Sequence, residues 1–495
     1  MSHLLIAPVL LPALLGALLL LGARNDLRLQ QLLSVTGTAL LLAVAVWLNL
    51  MAADGAIRVY RLGNWAAPFG IVLVLDRLAA LLVGLAAALA LAVQLSAVWT
   101  GWDGRGRHFH ALWQFQMMGV CGAFLTGDAF NLFVFFEVLL IASYGLMIHG
   151  GGAMRLRAGV QYIAYNLAGS ALFLVALGVL YAVTGTLNMA DMAARVAVLP
   201  AGDLALLRLG AVLLMLVFAV KAALVPLHFW LPSTYANAPG PVAALFAIMT
   251  KVGVYGIIRL QTLVFASEPG TLQLFAELLL PAALVTLALG QIGLLGSRNL
   301  RRLAAFAAIG SVGTLMIPVA LGTVQATAAA IYYMIHSTLA VGALFLVVDA
   351  IRAHRGDTAL RPGPALPGRL AVLYALTAVA VTGMPPLSGF IGKLLVMQAS
   401  AGAPAVVWIW SAILITSLIA IYGMTRAGSL LFWKSVAPAP PATVSAAPIA
   451  LLLAGLVLLT VLAGPVMRLA EASAAQLSDP SAYLQAVLTG QEGTK

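Results

Sequence analysis

One cysteine, Cys121, stands in 495 residues, so the chain makes no disulfide within itself and supplies no Cys-ligated zinc or iron–sulfur site. Any redox centre has to sit on a partner, and neither a cofactor nor a metal is expected here. Charge is the second scarcity, since Asp, Glu, Lys and Arg make up only 8% of the residues, against about 25% in an average soluble domain. No soluble domain is expected. A phosphate-binding loop is also missing: Gly389-Phe-Ile-Gly392-Lys393 comes nearest, but lacks the first glycine and is followed by Leu394. ATP is therefore not the driver. The net charge of +11 would suggest nucleic acid in a soluble protein. Here the arginines lie in short loops between apolar runs, as membrane topology requires, and no nucleic acid is expected. The first apolar run, Leu4 to Ala23, has no basic residue before it, is too long for a signal core and lacks a cleavage site. It reads as a membrane helix.

What the chain has in abundance is apolar surface: 63% of residues are hydrophobic and the mean hydropathy is +1.06. No aqueous core can hide that much, so lipid is the solvent. In hydrocarbon every backbone N–H and C=O must be satisfied internally, which leaves helices or closed barrels. Apolar runs of about 20 residues select helices. The pattern predicts an all-α membrane protein with fourteen transmembrane spans, near 4–23, 30–52, 71–99, 109–127, 129–149, 159–184, 205–231, 241–266, 273–296, 300–322, 325–351, 368–400, 404–433 and 446–470. Residues 1–100 hold spans one to three, 105–267 and 273–434 hold five spans each, and 446–495 hold the last helix and a short tail. An even number of spans puts both termini on one side. One set of alternating loops carries fifteen Lys and Arg, among them Arg105, Arg107, Arg155, Arg301 and Arg352, while the other carries seven. The positive-inside rule makes the richer set cytoplasmic and both termini external. Ser435 to Ser445, rich in Pro, Ala and Ser, reads as a loop, and the chain beyond Glu471 as a polar surface tail.

Against this apolar background a few ionisable residues stand out. Each charge at the centre of a membrane helix costs roughly 2.5–3.5 kcal/mol on insertion scales. Glu137, Lys221, Lys251 and Lys393 would together cost roughly 10–14 kcal/mol if unpaired, comparable to the stability of a whole domain. They must be paired or hydrated. Glu137 is expected to partner Lys221, either as a proton-transfer pair or as a static ion pair that fixes helix packing. Lys221 and Lys251 lie in consecutive spans, and burial brings a lysine's proton within exchange range near neutral pH. Lys251 is too deep in its span to snorkel comfortably to an interface. His336, in Tyr332-Tyr-Met-Ile-His-Ser-Thr, can relay a proton between its ring nitrogens, with Ser337 and Thr338 beside it as candidates for a hydrated path. The alternative is a satisfied core histidine.

Two spans cannot be continuous helices. In the seventh, Lys221 is followed by Ala-Ala-Leu-Val-Pro226-Leu-His228-Phe-Trp-Leu-Pro. In the twelfth, Gly383-Met-Pro385-Pro386-Leu-Ser-Gly-Phe-Ile-Gly precedes Lys393. Proline removes a backbone donor, and broken membrane helices line hydrated cavities. Two breaks with a lysine beside each are the sequence sign of structural repeats, here spans 4–8 and 9–13. His228 is a candidate proton port or a structural group. Asp76 with Arg77, and Asp349 with Arg352, read as interfacial anchors.

These motifs resemble one family, the antiporter-like membrane subunits shared by respiratory complex I, membrane-bound hydrogenases and the multisubunit Mrp cation/proton antiporters. The resemblance covers spans 3 to 13 and rests on Phe-Phe-Glu137, on Lys221 with Val-Pro-Leu-His-Phe-Trp-Leu-Pro, on Lys251, on His336 and on Pro-Pro-Leu-Ser-Gly-Phe-Ile-Gly-Lys393. Gly127-Asp-Ala-Phe-Asn-Leu-Phe-Val-Phe-Phe-Glu-Val-Leu-Leu and Tyr332-Tyr-Met-Ile-His-Ser-Thr-Leu are most similar to the D branch of the Mrp antiporter subunits. The resemblance implies that the two five-helix repeats are inverted, and that protons pass from Glu137 through Lys221, Lys251 and His336 to Lys393 partly along the membrane plane. It implies exchange of protons for sodium or potassium, no cofactor, and a hetero-oligomer with Mrp subunits A, B, C, E, F and G in a bacterial cytoplasmic (inner) membrane. The alternative within the family is a proton-pumping subunit of complex I or of a hydrogenase, although no long lateral helix is expected after the last span.

Overall fold

The computed structural model describes residues 2–437 and 445–489. Helices follow one another as α1 (Ala7–Leu21), α2 (Leu27–Ala52), α3 (Arg77–Trp99), α4 (Phe109–Leu125), α5 (Ala129–Ile148), α6 (Ala153–Thr184), α7 (Met189–Val196), α8 (Leu204–Ala222), α9 (Trp230–Asn237) and α10 (Gly240–Leu245). Then come α11 (Met249–Arg259), α12 (Pro269–Gly296), α13 (Leu300–Leu321), α14 (Val324–Arg355), α15 (Gly368–Thr382), α16 (Ser388–Ala399), α17 (Val406–Gly428), α18 (Ala447–Val461), α19 (Ala463–Ser478) and α20 (Ser481–Leu488). Among the described residues eleven helical stretches are long and apolar enough to cross a membrane, and the bent pair α18–α19 makes a twelfth. Two of the fourteen expected spans fall short of that measure. One is α4, with 17 residues and the polar side chains His110, Gln114 and Gln116 buried within it. The other is divided into α15 and α16 by Pro385 and Pro386.

Most expected boundaries hold to within a few residues, and the exceptions have local causes. Val72–Leu75, expected to open the third span, is instead a strand (β2) pairing antiparallel with β1 (Arg58–Arg61), Arg58 opposite Leu75. Asp76 ends the strand because its carboxylate accepts from Ala79 N and starts α3 there. The fourteenth span is not one helix: α18 and α19 meet at 81°, and Pro465, which cannot donate to a preceding turn, sits where α19 begins anew. Nor is the chain beyond Glu471 a surface tail, since α20 buries Tyr483 and Val487 against the bundle. Of the loop expected over Ser435–Ser445, Ser435–Ala437 form a short strand (β4) parallel to β3 (Gly363–Pro364), and 438–444 lie outside the described residues.

Burial sorts the helices into layers. The stretch Gly240–Val264 is enclosed throughout, and α13 and α14 nearly so, whereas α1, α2 and α17 turn most of their apolar surface outward. Outward leucines and tryptophans such as Leu14, Trp408 and Leu418 are ordinary where the neighbour is lipid. One close approach positions the site. A Cβ at Gly253 on α11 would lie 2.7 Å from Ala222 N and 2.8 Å from Phe218 O on α8, so only glycine lets the two backbones meet beside Lys221.

Candidate functional site

The seventh span stops at Ala222, where Ala223 takes a left-handed conformation (φ 58°), and resumes as α9 at Trp230. Pro226 sits in the gap, as expected. Groups freed by the break find partners: Trp230 Nε1 donates to Val220 O at 2.9 Å and Val225 N to Thr286 Oγ1 at 2.9 Å. Such substitutes let a broken helix persist in a membrane. Lys221 is buried one residue before the stop, its Nζ donating to Asn166 Oδ1 at 3.3 Å and lying 5.8 Å from the Phe136 ring centroid. Glu137, next to Phe136 on α5, accepts a hydrogen bond from Ser170. Asn166 and Ser170 are one turn apart on α6. The expected Glu137–Lys221 partnership is therefore not a direct ion pair; the two lie within electrostatic reach with two neutral polar side chains beside them.

Lys251 is fully buried, and no hydrogen bond to its amine is seen among the described residues. Its span, expected to be continuous, is interrupted at Phe246–Ile248, just before Lys251. Tyr235 OH donates to the Phe246 carbonyl at 2.7 Å, and tightened backbone bonds such as Lys251 N to Ile248 O at 3.0 Å carry the chain into α11. All three buried lysines thus flank an interruption.

His336 lies in the middle of the long, unbroken α14, its Nδ1 3.0 Å from Ser388 Oγ at the start of α16. It is within electrostatic reach of both Lys251 and Lys393. Lys393 Nζ donates to Thr382 O at 2.7 Å and to Ser417 Oγ at 2.8 Å. Thr382 O is the last carbonyl of α15, left without a helical donor by the break at Pro385 and Pro386. Gly383 (φ 77°) makes the turn, and a Cβ there would meet Lys393 Cδ at 2.8 Å. His228 is buried in the first break, its ring tilted 33° against that of Phe229 at 4.5 Å, with Nδ1 unpartnered among the described residues. Ser337 and Thr338 turn their hydroxyls back to Met334 O.

Sequence reasoning missed Asn166, Ser170, Ser388 and Ser417. A signal existed for the first two, because Tyr162, Asn166 and Ser170 recur every fourth residue in an apolar span and so share one helical face. It also misplaced Asp76, whose partner is not Arg77 but Arg259, 2.5 Å away and buried with it. Tyr255 accepts from the same guanidinium and Tyr483 lies over it. Asp349 and Arg352 do approach each other, at 3.5 Å.

The fold and these side chains define a multi-pass membrane protein that buries three amines beside interruptions of its helices, with a carboxylate on the neighbouring unbroken α5. The family described as NADH:quinone oxidoreductase/Mrp antiporter, transmembrane, matches residues 126–420. Over 99% of this chain and 98% of its own length, the D subunit of a probable K(+)/H(+) antiporter of Rhizobium meliloti is 41% identical. The D subunit of a Na(+)/H(+) antiporter of Bacillus subtilis is 38% identical over 88% of this chain and 87% of its own length. A chain in the structure of the Mrp complex from Dietzia sp. superposes with a TM-score of 0.89 at 27% identity, covering 99% of this chain and 100% of that one. The chain belongs to the NADH:quinone oxidoreductase/Mrp antiporter family, on the branch formed by the D subunits.

Proposed function

We propose that the chain is the proton-translocating subunit of a multisubunit cation/proton antiporter, exchanging protons for Na+ or K+ as the names of its relatives suggest. Glu137 modulates Lys221, Lys221 and Lys251 pass protons inward, His336 bridges the halves 105–267 and 273–434 as two inverted repeats, and Lys393 links the path to one side of the membrane. The observation that supports this reading most is the set of three buried lysines beside helix interruptions, none in an ion pair with a carboxylate, two of them donating to neutral acceptors. An amine so placed is stable enough to exist and loose enough to lose a proton. His228 serves as a port at the first break, and Ser337 and Thr338 line the way past His336.

The same reading puts the chain in the bacterial cytoplasmic membrane with both termini outside, assembled with Mrp subunits A, B, C, E, F and G; a relative solved within an Mrp complex supports assembly into a complex of that kind. The test is exchange in vesicles from cells expressing the whole complex. Glu137→Ala or Lys221→Ala abolishes cation-driven proton movement and leaves assembly intact. Full exchange by either variant sinks the assignment, and copurification with iron–sulfur and flavin subunits would move the chain to a redox-driven pump.

A further inference from the structure

Where α1 ends and α4 begins, beside the end of α5, an open pocket of about 450 Å³ enters the bundle. It is lined by the apolar side chains of Leu20, Leu112, Phe115 and Ile148 together with Arg107, His108 and His149. Arg107 and His108 are exposed and His149 is buried. His149 Nε2 lies 2.9 Å from the Trp102 carbonyl. A carbonyl only accepts, so Nε2 carries the hydrogen and Nδ1 is left as an acceptor, 3.0 Å from where a Cβ on Gly106 would stand. The helix α4 opens without a side-chain cap, its N-cap being His108 itself, so its first N–H groups add positive potential beside the pocket.

The positive charge here is only partly offset, since Asp349 pairs with Arg352 at 3.5 Å and Asp103 is the other carboxylate nearby. Behind the Gly106–Gly150 wall the guanidiniums of Arg105, Arg352 and Arg155 gather around the Trp102 ring at 4.1, 4.8 and 5.3 Å from its centroid. The one carboxylate bonded to that indole is Asp349, at 2.7 Å. The other nearby carboxylate, Asp103, is already engaged by Gln31 at 2.6 Å and His110 at 3.2 Å. A wholly apolar partner helix would offer Arg107 no acceptor. Exposed Arg107 and the uncapped start of α4 beside apolar side chains, at the level where three membrane helices end, fit a ligand with an anionic head and hydrocarbon tails.

We propose that this pocket binds an anionic phospholipid, its phosphate at Arg107 and His108 and an acyl chain along Leu20, Leu112 and Phe115. The test uses the full chain in its complex, reconstituted in nanodiscs. F115W places a fluorophore in the pocket lining, and phosphatidylglycerol or phosphatidylcholine with brominated chains is the quencher. Brominated phosphatidylglycerol quenches the added tryptophan several-fold more effectively than brominated phosphatidylcholine, and F115W/R107Q brings the two near parity. Equal quenching by both lipids in F115W, or a preference unchanged by R107Q, overturns the proposal. Inorganic phosphate in excess over lipid leaves the preference in place; if it removes the quenching, the pocket is a free-anion site and the lipid assignment fails. Should F115W not assemble, retention of phosphatidylglycerol through detergent washing, measured by mass spectrometry for wild type and R107Q, decides the question: loss of the lipid in R107Q supports the site, and equal retention overturns it.

Discussion

The two proline-broken spans carry the same elements in opposite order. In the first, Lys221 precedes the gap, and in the second, Lys393 follows it. The consequence is visible in the turn residue. Ala223 can carry its Cβ through a left-handed turn because no lysine folds back over it, whereas Gly383 must be bare because the Lys393 stem lies against it. It is visible again in the bonding. Lys393 reaches back to the carbonyl its own break has freed and adds Ser417, while Lys221 has the side chain of Asn166, at the longer distance of 3.3 Å, with Glu137 within electrostatic reach. An amine held twice by neutral acceptors is anchored; one held once, at a longer distance, is held less firmly.

The most severe way to break this contrast is Gly383→Val. The substitution puts a β-branched residue at positive φ and drives its side chain into Lys393, so exchange in vesicles is expected to fall to background. Ala223→Gly, which relieves an unfavourable turn by roughly 1 kcal/mol, leaves exchange intact and raises thermal stability. If Gly383→Val exchanges normally, the lysine does not need the seat described for it.

A milder pair of variants weighs the bonding difference. Asn166→Ala removes the hydrogen bond from Lys221, and Ser417→Ala removes one of two from Lys393. A hydrogen bond to a charged group contributes about 1.5–3 kcal/mol, and about 1.4 kcal/mol is a factor of ten in rate. Asn166→Ala is therefore expected to slow exchange about tenfold or more, and Ser417→Ala by a smaller factor because Thr382 O still holds the amine. The reverse order in initial rates would show that Lys393 is the looser of the two amines.

The same contrast shows why parts of the site could be read from sequence and others could not. Both proline breaks announce themselves, since Pro226, Pro385 and Pro386 lack a donor wherever the chain folds. The interruption at Phe246–Ile248 leaves no such mark: Phe, Ala and Ile all suit a helix, and what holds the turn is a hydrogen bond from Tyr235 on another helix. The Asp76–Arg259 pair is hidden for a related reason, because Arg77 stands next in sequence and the true partner comes from a distant span. Glu137 and Lys221 were recognisable as costly charges, but the side chains beside them were not, because Asn166 and Ser170 carry no charge to draw attention. Only their four-residue spacing marks that face.

The smallest expected effect is a control lying outside the membrane spans yet tied to the first broken helix. Glu268 caps α12, accepting from Thr271 N at 2.5 Å, and pairs with Arg208 of α8 at 3.0 Å. Burial pushes its carboxyl up, but the hydrogen bonds from Arg208 and Thr271 prevail and hold it at about 2. A folded-state value below that of the unfolded chain means the carboxylate's stabilisation is complete above pH about 4.5 and disappears as pH falls toward 2. Glu268→Gln is thus expected to cost about 1 kcal/mol at neutral pH, the usual loss at a helix cap, with Arg208 too exposed to add much. The stability gap between wild type and variant should close on acidification in a detergent melting series, with exchange rates at neutral pH unaltered. A transport defect in Glu268→Gln would mean that the anchoring of α8 at its far end is felt at Lys221, and the line between structural charges and proton-carrying ones would have to be redrawn.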